Sequence, residues 1–411
     1  MIPVVAIAIA LAQFAPSADA PKADPAALEK MAVDILAQLE EMRGQKLSKP
    51  MKMGVKDKPE VTAFINERLA EEYGPAKVAA EGRMLKLMGL LPPPMDYGKF
   101  LVSLMTEQVA GFYDHTRQEL HIAAWLPAMM QPSVMAHEIF HAIQDQEWGG
   151  GKLIDSKTYS PDAVLAHAAL LEGDATIVMF DWQQKAAGVP SDMAMSKAAV
   201  YGIAASLPMQ MASPQFPVMA VAPDYLKQSL IFPYQQGLLF VAALRQSGMT
   251  WDDVRKVYDD PPSSTEQILH PERYIERDHP SIVTLPGPLV PGFERTWDGA
   301  AGEFHHRQIL LTKLSTPEAI AGAAGWDGDM TVLEVKGEQA YAASRSTWDT
   351  AEEAAAWVKA LRAVHARRDP PLPALVVAHE GTEVAAVWSE DAALAKQALK
   401  AAMKTSKVER K

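Results

Sequence analysis

The run His137-Glu138-Ile139-Phe140-His141 sets two imidazoles four residues apart with a carboxylate between them. On a helix, residues four apart stand one above the other, so two ring nitrogens can share a single metal ion. Glu138, about a third of a turn round from His137, is then placed to take a proton from a water attacking a carbonyl. That combination points to metal-assisted hydrolysis, with Zn2+ as the ion that imidazole and carboxylate donors suit. Upstream, Pro132 and Ser133 start the predicted helix, with Ser133 as its N-cap. Gln144 lies seven residues after His137 and shares its face, where it can hydrogen-bond a metal-ligating side chain.

A hydrolytic zinc site needs a third protein ligand and an open fourth position. A ligand close behind the motif would need a glycine at 144 to turn the chain, but the residue there is Gln144. With the helix continuing, Glu147 points roughly 120° away from His141 and is rejected. Glu172 is the better candidate. Ser160 and Pro161 supply an N-cap and first-turn proline for a second helix, which runs through an apolar stretch to Phe180. Ala168, Ala169, Ala175 and Thr176 leave a small face around Glu172, able to lie close against the metal helix. Gly173 makes sense there as a close-approach residue, because glycine otherwise costs a helix about 1 kcal/mol relative to alanine. His167, on the same helix, is the alternative ligand.

These stretches carry a family resemblance. His137-Glu138-x-x-His141 followed by Glu172-Gly173-Asp174-Ala175 resembles the gluzincin class of zinc metallopeptidases. More narrowly, Gln108 to Asp114, Leu171 to Thr176, Ser264 to Tyr274 and Gly325 to Asp329 resemble a group of bacterial secreted proteins. The resemblance covers residues 60–360 and implies zinc carried by His137, His141 and Glu172, with Glu138 as general acid/base. Gluzincins usually place an aspartate four residues after the glutamate ligand to orient a histidine. Here that position is Thr176, so the orienting role falls to another acid, Asp145 being one choice, and Asp174 serves a separate contact. Tyr234 and His270 are the candidates for stabilising the oxyanion, since each offers a donor and lies in a family-like motif. The adjacent His305 and His306 are expected to be exposed.

The expected architecture is α+β and predominantly helical. Residues 1–20 read as a signal peptide, an uncharged apolar run too short to span a bilayer followed by small residues, which makes the protein secreted or periplasmic without stable membrane insertion. Residues 21–54 read as linker and N-terminal helix, and 55–318 as a zincin-like catalytic domain. In it, a hairpin (Val109 to Tyr113, then Leu120 to Ile122) precedes the metal helix, beside a cleft where an extended peptide can add to a strand edge. Residues 319–411 read as a small α+β domain of two strand-strand-helix units. Its basic tail is expected to fray. A net charge of −12 argues against a nucleic-acid surface, which needs a basic stripe, and the metallopeptidase resemblance implies a peptide or protein substrate as the partner. With no cysteine, disulfides, thiolate ligands and thiol nucleophiles are excluded.

Overall fold

The computed structural model describes residues 8–9, 25–190, 192–211, 216–368 and 373–409. The predicted signal peptide lies outside them apart from Ala8–Ile9 (β1), which pairs antiparallel with the strand Val109–Asp114. The fold is α+β and predominantly helical, as the sequence pattern predicts.

The N-terminal helix α1 (Pro25–Arg43) leads into β2 (Lys52–Lys56), then α2 (Lys58–Arg68), α3 (Pro75–Leu87) and α4 (Tyr97–Gln108). The predicted hairpin is β3 (Val109–Asp114) and β4 (Glu119–Ala123), and the sheet order is β1-β3-β4-β2. β2 joins β4 in parallel, although its two lysines and glycine gave no strand pattern. Next come α5 (Gln131–Trp148), which carries His137, Glu138 and His141, and the short α6 (Gly150–Leu153). β3 lies directly on α5. A side chain at Gly111 would meet Val134 Cγ1 at 2.9 Å, so glycine is what lets strand and helix touch. Pro132 sits in the first turn of α5, and Gly149 ends the helix in the left-handed region at φ 71°. Ser133 is not the N-cap. It lies inside the first turn, and its hydroxyl accepts from Gln183 Nε2 at 2.7 Å.

α7 (Pro161–Ala186) is capped by Ser160, whose hydroxyl accepts the Ala163 amide. Its apolar stretch is long enough to cross a membrane, yet 94% of that window is buried inside the protein, which makes it the central core helix. α8 (Lys197–Met211) and α9 (Pro217–Ala220) precede α10 (Asp224–Gln246), and α10 packs along α7. Their crossing is set by two glycines. A Cβ on Gly237 would stand 1.9 Å from the Ala169 oxygen, and one on Gly173 would stand 2.1 Å from the Gly237 carbonyl carbon. Gly173 is thus a close-approach residue, but its partner is α10 rather than α5.

The short helices α11 (Trp251–Lys256), α12 (Thr265–Leu269) and α13 (Pro271–Ile275) and the strand β5 (Ile282–Thr284) lead to β6 (Glu294–Gly299), α14 (Gly302–Leu311) and α15 (Thr316–Ala323). The predicted strand-strand-helix units follow as β7 (Trp326–Lys336), β8 (Gln339–Trp348) and α16 (Ala351–Ala366), then β9 (Ala374–Glu380), β10 (Glu383–Ser389) and α17 (Ala392–Thr405). They form one sheet of order β6-β7-β8-β10-β9, so β6, upstream of residue 319, supplies an edge strand. Side chains alternate across β10. Val384, Ala386 and Trp388 join Trp357 and Val358 of α16 in one core, whereas Ala385 and Val387 join Leu394 and Ala398 of α17 in another. The first of these cores runs on through α3 to Leu28 of α1. The basic tail does not fray at once, because β11 (Lys407–Glu409) pairs with β5.

Candidate metal centre

α5 and α7 carry the three donors to one point. Glu172 Oε2 lies 3.0 Å from His137 Nε2 and 3.3 Å from His141 Nε2, and the two ring nitrogens are 3.1 Å apart. For an ion about 2.0 to 2.1 Å from each of three tetrahedral donors, those donors stand roughly 3.3 Å from one another. The triangle fits that size closely. Two imidazole nitrogens and one carboxylate oxygen are also a donor set that suits zinc and does not suit the oxygen-loving calcium or magnesium. Glu138 is fully buried beside them, and its carboxylate belongs to the same tight group as His137 and His141.

Electrostatics reflects the shared site. Burial alone would raise the Glu172 pKa, but the two facing imidazoles outweigh it and hold the carboxylate at about 2. Burial lowers the His141 pKa, yet the Glu172 carboxylate, with Glu138 behind it, lifts it to about 9. His137 falls below the ordinary histidine value because burial dominates there.

The orientation of His141 comes from Gln144, whose Oε1 lies 2.6 Å from His141 Nδ1. Gln144 Nε2 in turn donates to the Leu171 carbonyl at 2.9 Å and to the Tyr258 hydroxyl at 2.8 Å. Tyr258 donates to Asp174 Oδ2 at 2.9 Å, and Arg43 Nη2 bridges both Asp174 oxygens at 2.8 and 2.9 Å. Asp145 is not the orienting acid. Its carboxylate accepts from Tyr113 at 3.0 Å, a turn further along α5. Asp174 does serve a separate contact, the last residue of α1. Gln144 was legible from its helical spacing, whereas nothing local marks Tyr258 or Arg43, which lie 84 and 131 residues from Asp174.

The other candidates separate. Tyr234 is brought to the site, buried, with its ring 6.2 Å from the His137 ring and near-parallel to it. His270 is not. Its Nε2 lies 3.0 Å from Glu303 Oε2 and 3.1 Å from Arg307, and no hydrogen bond or ion pair among the described residues joins it to the triangle. His270 stands at the junction of α12 and α13, and α12 is tied by Thr265 to Asp162. Asp162 lies ten residues, about 15 Å of helix, before Glu172. His167 is held by the Leu153 carbonyl at 2.6 Å, and Glu147 accepts the Ser48 amide. His305 and His306 are buried rather than exposed. His306 packs against Trp357, its Nδ1 lying 2.9 Å from the Gly302 carbonyl, while His305 abuts Met88. α14 is covered by α12, α15 and α16, which leaves both histidines buried.

No family model matches the chain, and no curated protein matches it. Among solved structures it is similar to a protein from Chloroflexus aurantiacus provisionally described as a hydrolase with a novel fold. The identity is 17% and the TM-score 0.40, over 63% of this chain and 92% of that one. At that distance the likeness carries no argument about activity.

Proposed function

We propose that the protein is a zinc metallopeptidase in which His137, His141 and Glu172 hold the ion and Glu138 is the general base. The observation that carries this reading is the 3.0 to 3.3 Å triangle of donors with a buried glutamate one residue from the first histidine. A purely structural zinc site is usually closed by a fourth protein ligand and has no use for that carboxylate. A zinc ion held by His137, His141 and Glu172 would supply the Lewis acidity that polarises a scissile carbonyl and makes water a nucleophile near neutral pH. Glu138 takes the proton from the attacking water and delivers it to the departing amine nitrogen. Tyr234, stacked beside His137, donates its hydroxyl to the oxygen that gains negative charge. Gln144 holds His141 so that Nε2, not Nδ1, faces the ion. The substrate is a peptide or protein met outside the cytoplasm, in keeping with the apolar leader.

Two other readings keep the zinc and change the chemistry: a hydrolase of non-peptide amides or esters, and a secreted zinc-binding recognition protein without activity. Glu138→Gln separates them from the first. It preserves size but cannot accept the proton, so peptide-library cleavage should fall at least a hundredfold while zinc content and folding stay as in the wild type. Cleavage of esters but not peptides by the wild type favours the second reading. A fully zinc-loaded wild type that cleaves neither favours the third.

A further inference from the structure

The hydrogen bonds running from Arg43 to His141 have a fixed direction. Asp174, paired with Arg43, offers only acceptors, so the Tyr258 hydroxyl must donate to it. The Tyr258 oxygen is then left to accept, and the group facing it on Gln144 must be the amide NH2. The Leu171 carbonyl, an acceptor with no alternative, demands the same orientation independently. Both amide hydrogens of Gln144 are thereby used, its oxygen is turned to His141, and Nδ1 of that ring must carry the hydrogen. In the neutral ring Nε2 is then left with its lone pair toward His137 and Glu172.

The far end of the chain is equally well held. The Arg43 guanidinium lies 4.1 Å over the Trp251 ring and 4.9 Å over Phe140, and its side chain is 4% exposed. Arg43 is the last residue of α1, a helix that packs on α5 but supplies none of the metal donors.

We infer that Arg43, Asp174 and Tyr258 are positioning residues that act through Gln144 to fix the His141 tautomer, making α1 a working part of the metal centre. The inference rests on the proposed zinc site. Each link is needed because Gln144 is pseudo-symmetric: with the Tyr258 hydroxyl gone, only the Leu171 bond resists its rotation, and a flipped amide would present NH2 to Nδ1. The flipped state favours the hydrogen on Nε2, where it blocks the metal. Removing an outer partner of this kind typically weakens metal affinity about 10- to 100-fold.

The test is zinc affinity of the full chain, by competition with a chromophoric chelator, for wild type, Tyr258→Phe, Arg43→Leu and the control Tyr274→Phe. Tyr274 is also a buried tyrosine bonded to a carbonyl, that of Asp260, outside the chain of bonds. Tyr258→Phe and Arg43→Leu should each weaken binding at least tenfold, and Tyr274→Phe less than twofold. Nitrogen-15 NMR of the metal-free proteins, at a pH high enough that the His141 ring is neutral, should show its hydrogen on Nδ1 in the wild type and redistributed in Tyr258→Phe. That shift is one a generally loosened fold would not produce selectively. If Arg43→Leu does not fold, the Tyr258→Phe pair of measurements decides. Wild-type protein without micromolar or tighter zinc affinity would count against the zinc reading itself. Tight wild-type binding that is unchanged in Tyr258→Phe, with the tautomer also unchanged, would overturn the inference alone.

Discussion

Gly173→Ala sets two effects of known sign against each other. Alanine is better than glycine in a helix interior by about 1 kcal/mol, so a freely accommodated methyl group would stabilise α7. The methyl group has nowhere to go. Its carbon would stand 2.1 Å from the Gly237 carbonyl carbon, 2.2 Å from the oxygen and 2.7 Å from the Cα, where ordinary contact begins at 3.4 Å. The obstacle is backbone and cannot rotate aside, so α7 and α10 must part by about 1 Å. Overpacking of this kind costs about 1 to 3 kcal/mol, and an immovable neighbour puts it at the upper end, for a net loss of about 2 kcal/mol. The displacement also reaches the site, since Glu172 is the adjacent residue and zinc sites tolerate shifts of only about 0.2 Å in ligand distance. Urea unfolding of the metal-free proteins measures the first effect, and chelator competition measures the second. Gly173→Ala should unfold at lower urea and bind zinc more than tenfold more weakly. A variant as stable as the wild type, with unchanged zinc affinity, would refute the close-packing argument.

Other consequences can be checked separately. A chelator should lower the thermal midpoint of the wild type, with zinc restoring it, whereas His141→Ala should have little metal and a midpoint indifferent to both, because a ligand bound only by the folded state stabilises it by mass action. Burial, outweighing the Thr265 hydrogen bonds, raises the Asp162 carboxyl to about 8. Its folded form therefore keeps a proton that the unfolded chain loses above its ordinary value near 4. This contribution to stability is present in full below about pH 4 and is lost as pH rises to 8, by at most about 1.4 kcal/mol per unit. Asp162→Asn should flatten that part of the pH dependence of the urea midpoint in metal-free protein, and an unaltered slope would contradict the raised pKa. His270→Ala, at a residue paired with Glu303 and Arg307 rather than with the triangle, should leave zinc affinity unchanged.

Patterns confined to one element were readable in the sequence. The four-residue spacing of His137 and His141, the Ser160-Pro161 helix start and the two strand-strand-helix units after residue 319 each follow from local pattern, and the described elements follow that order. Relations across elements were not. Gly173 announced a close approach, but its sequence neighbours could not say that Gly237 is opposite. Ser133 and Pro132 announced a helix start, yet the helix extends to Gln131 because the Ser133 hydroxyl is occupied by Gln183 from α7. His270 sits in a conspicuous motif whose histidine answers to Glu303 and Arg307, an ion-pair arrangement visible only once α14 is folded against α12. β2 escaped notice because a strand paired along β4 need not alternate cleanly when its outer positions are lysines.

The central claim is that the triangle of His137, His141 and Glu172 is an open zinc site. Anomalous diffraction at the zinc absorption edge, from crystals of the purified protein, tests it most directly. One peak is expected about 2.0 to 2.2 Å from His137 Nε2, His141 Nε2 and a Glu172 oxygen, with the open side toward Glu138 and no further protein ligand. A peak elsewhere, or one closed by a fourth protein side chain, would contradict it.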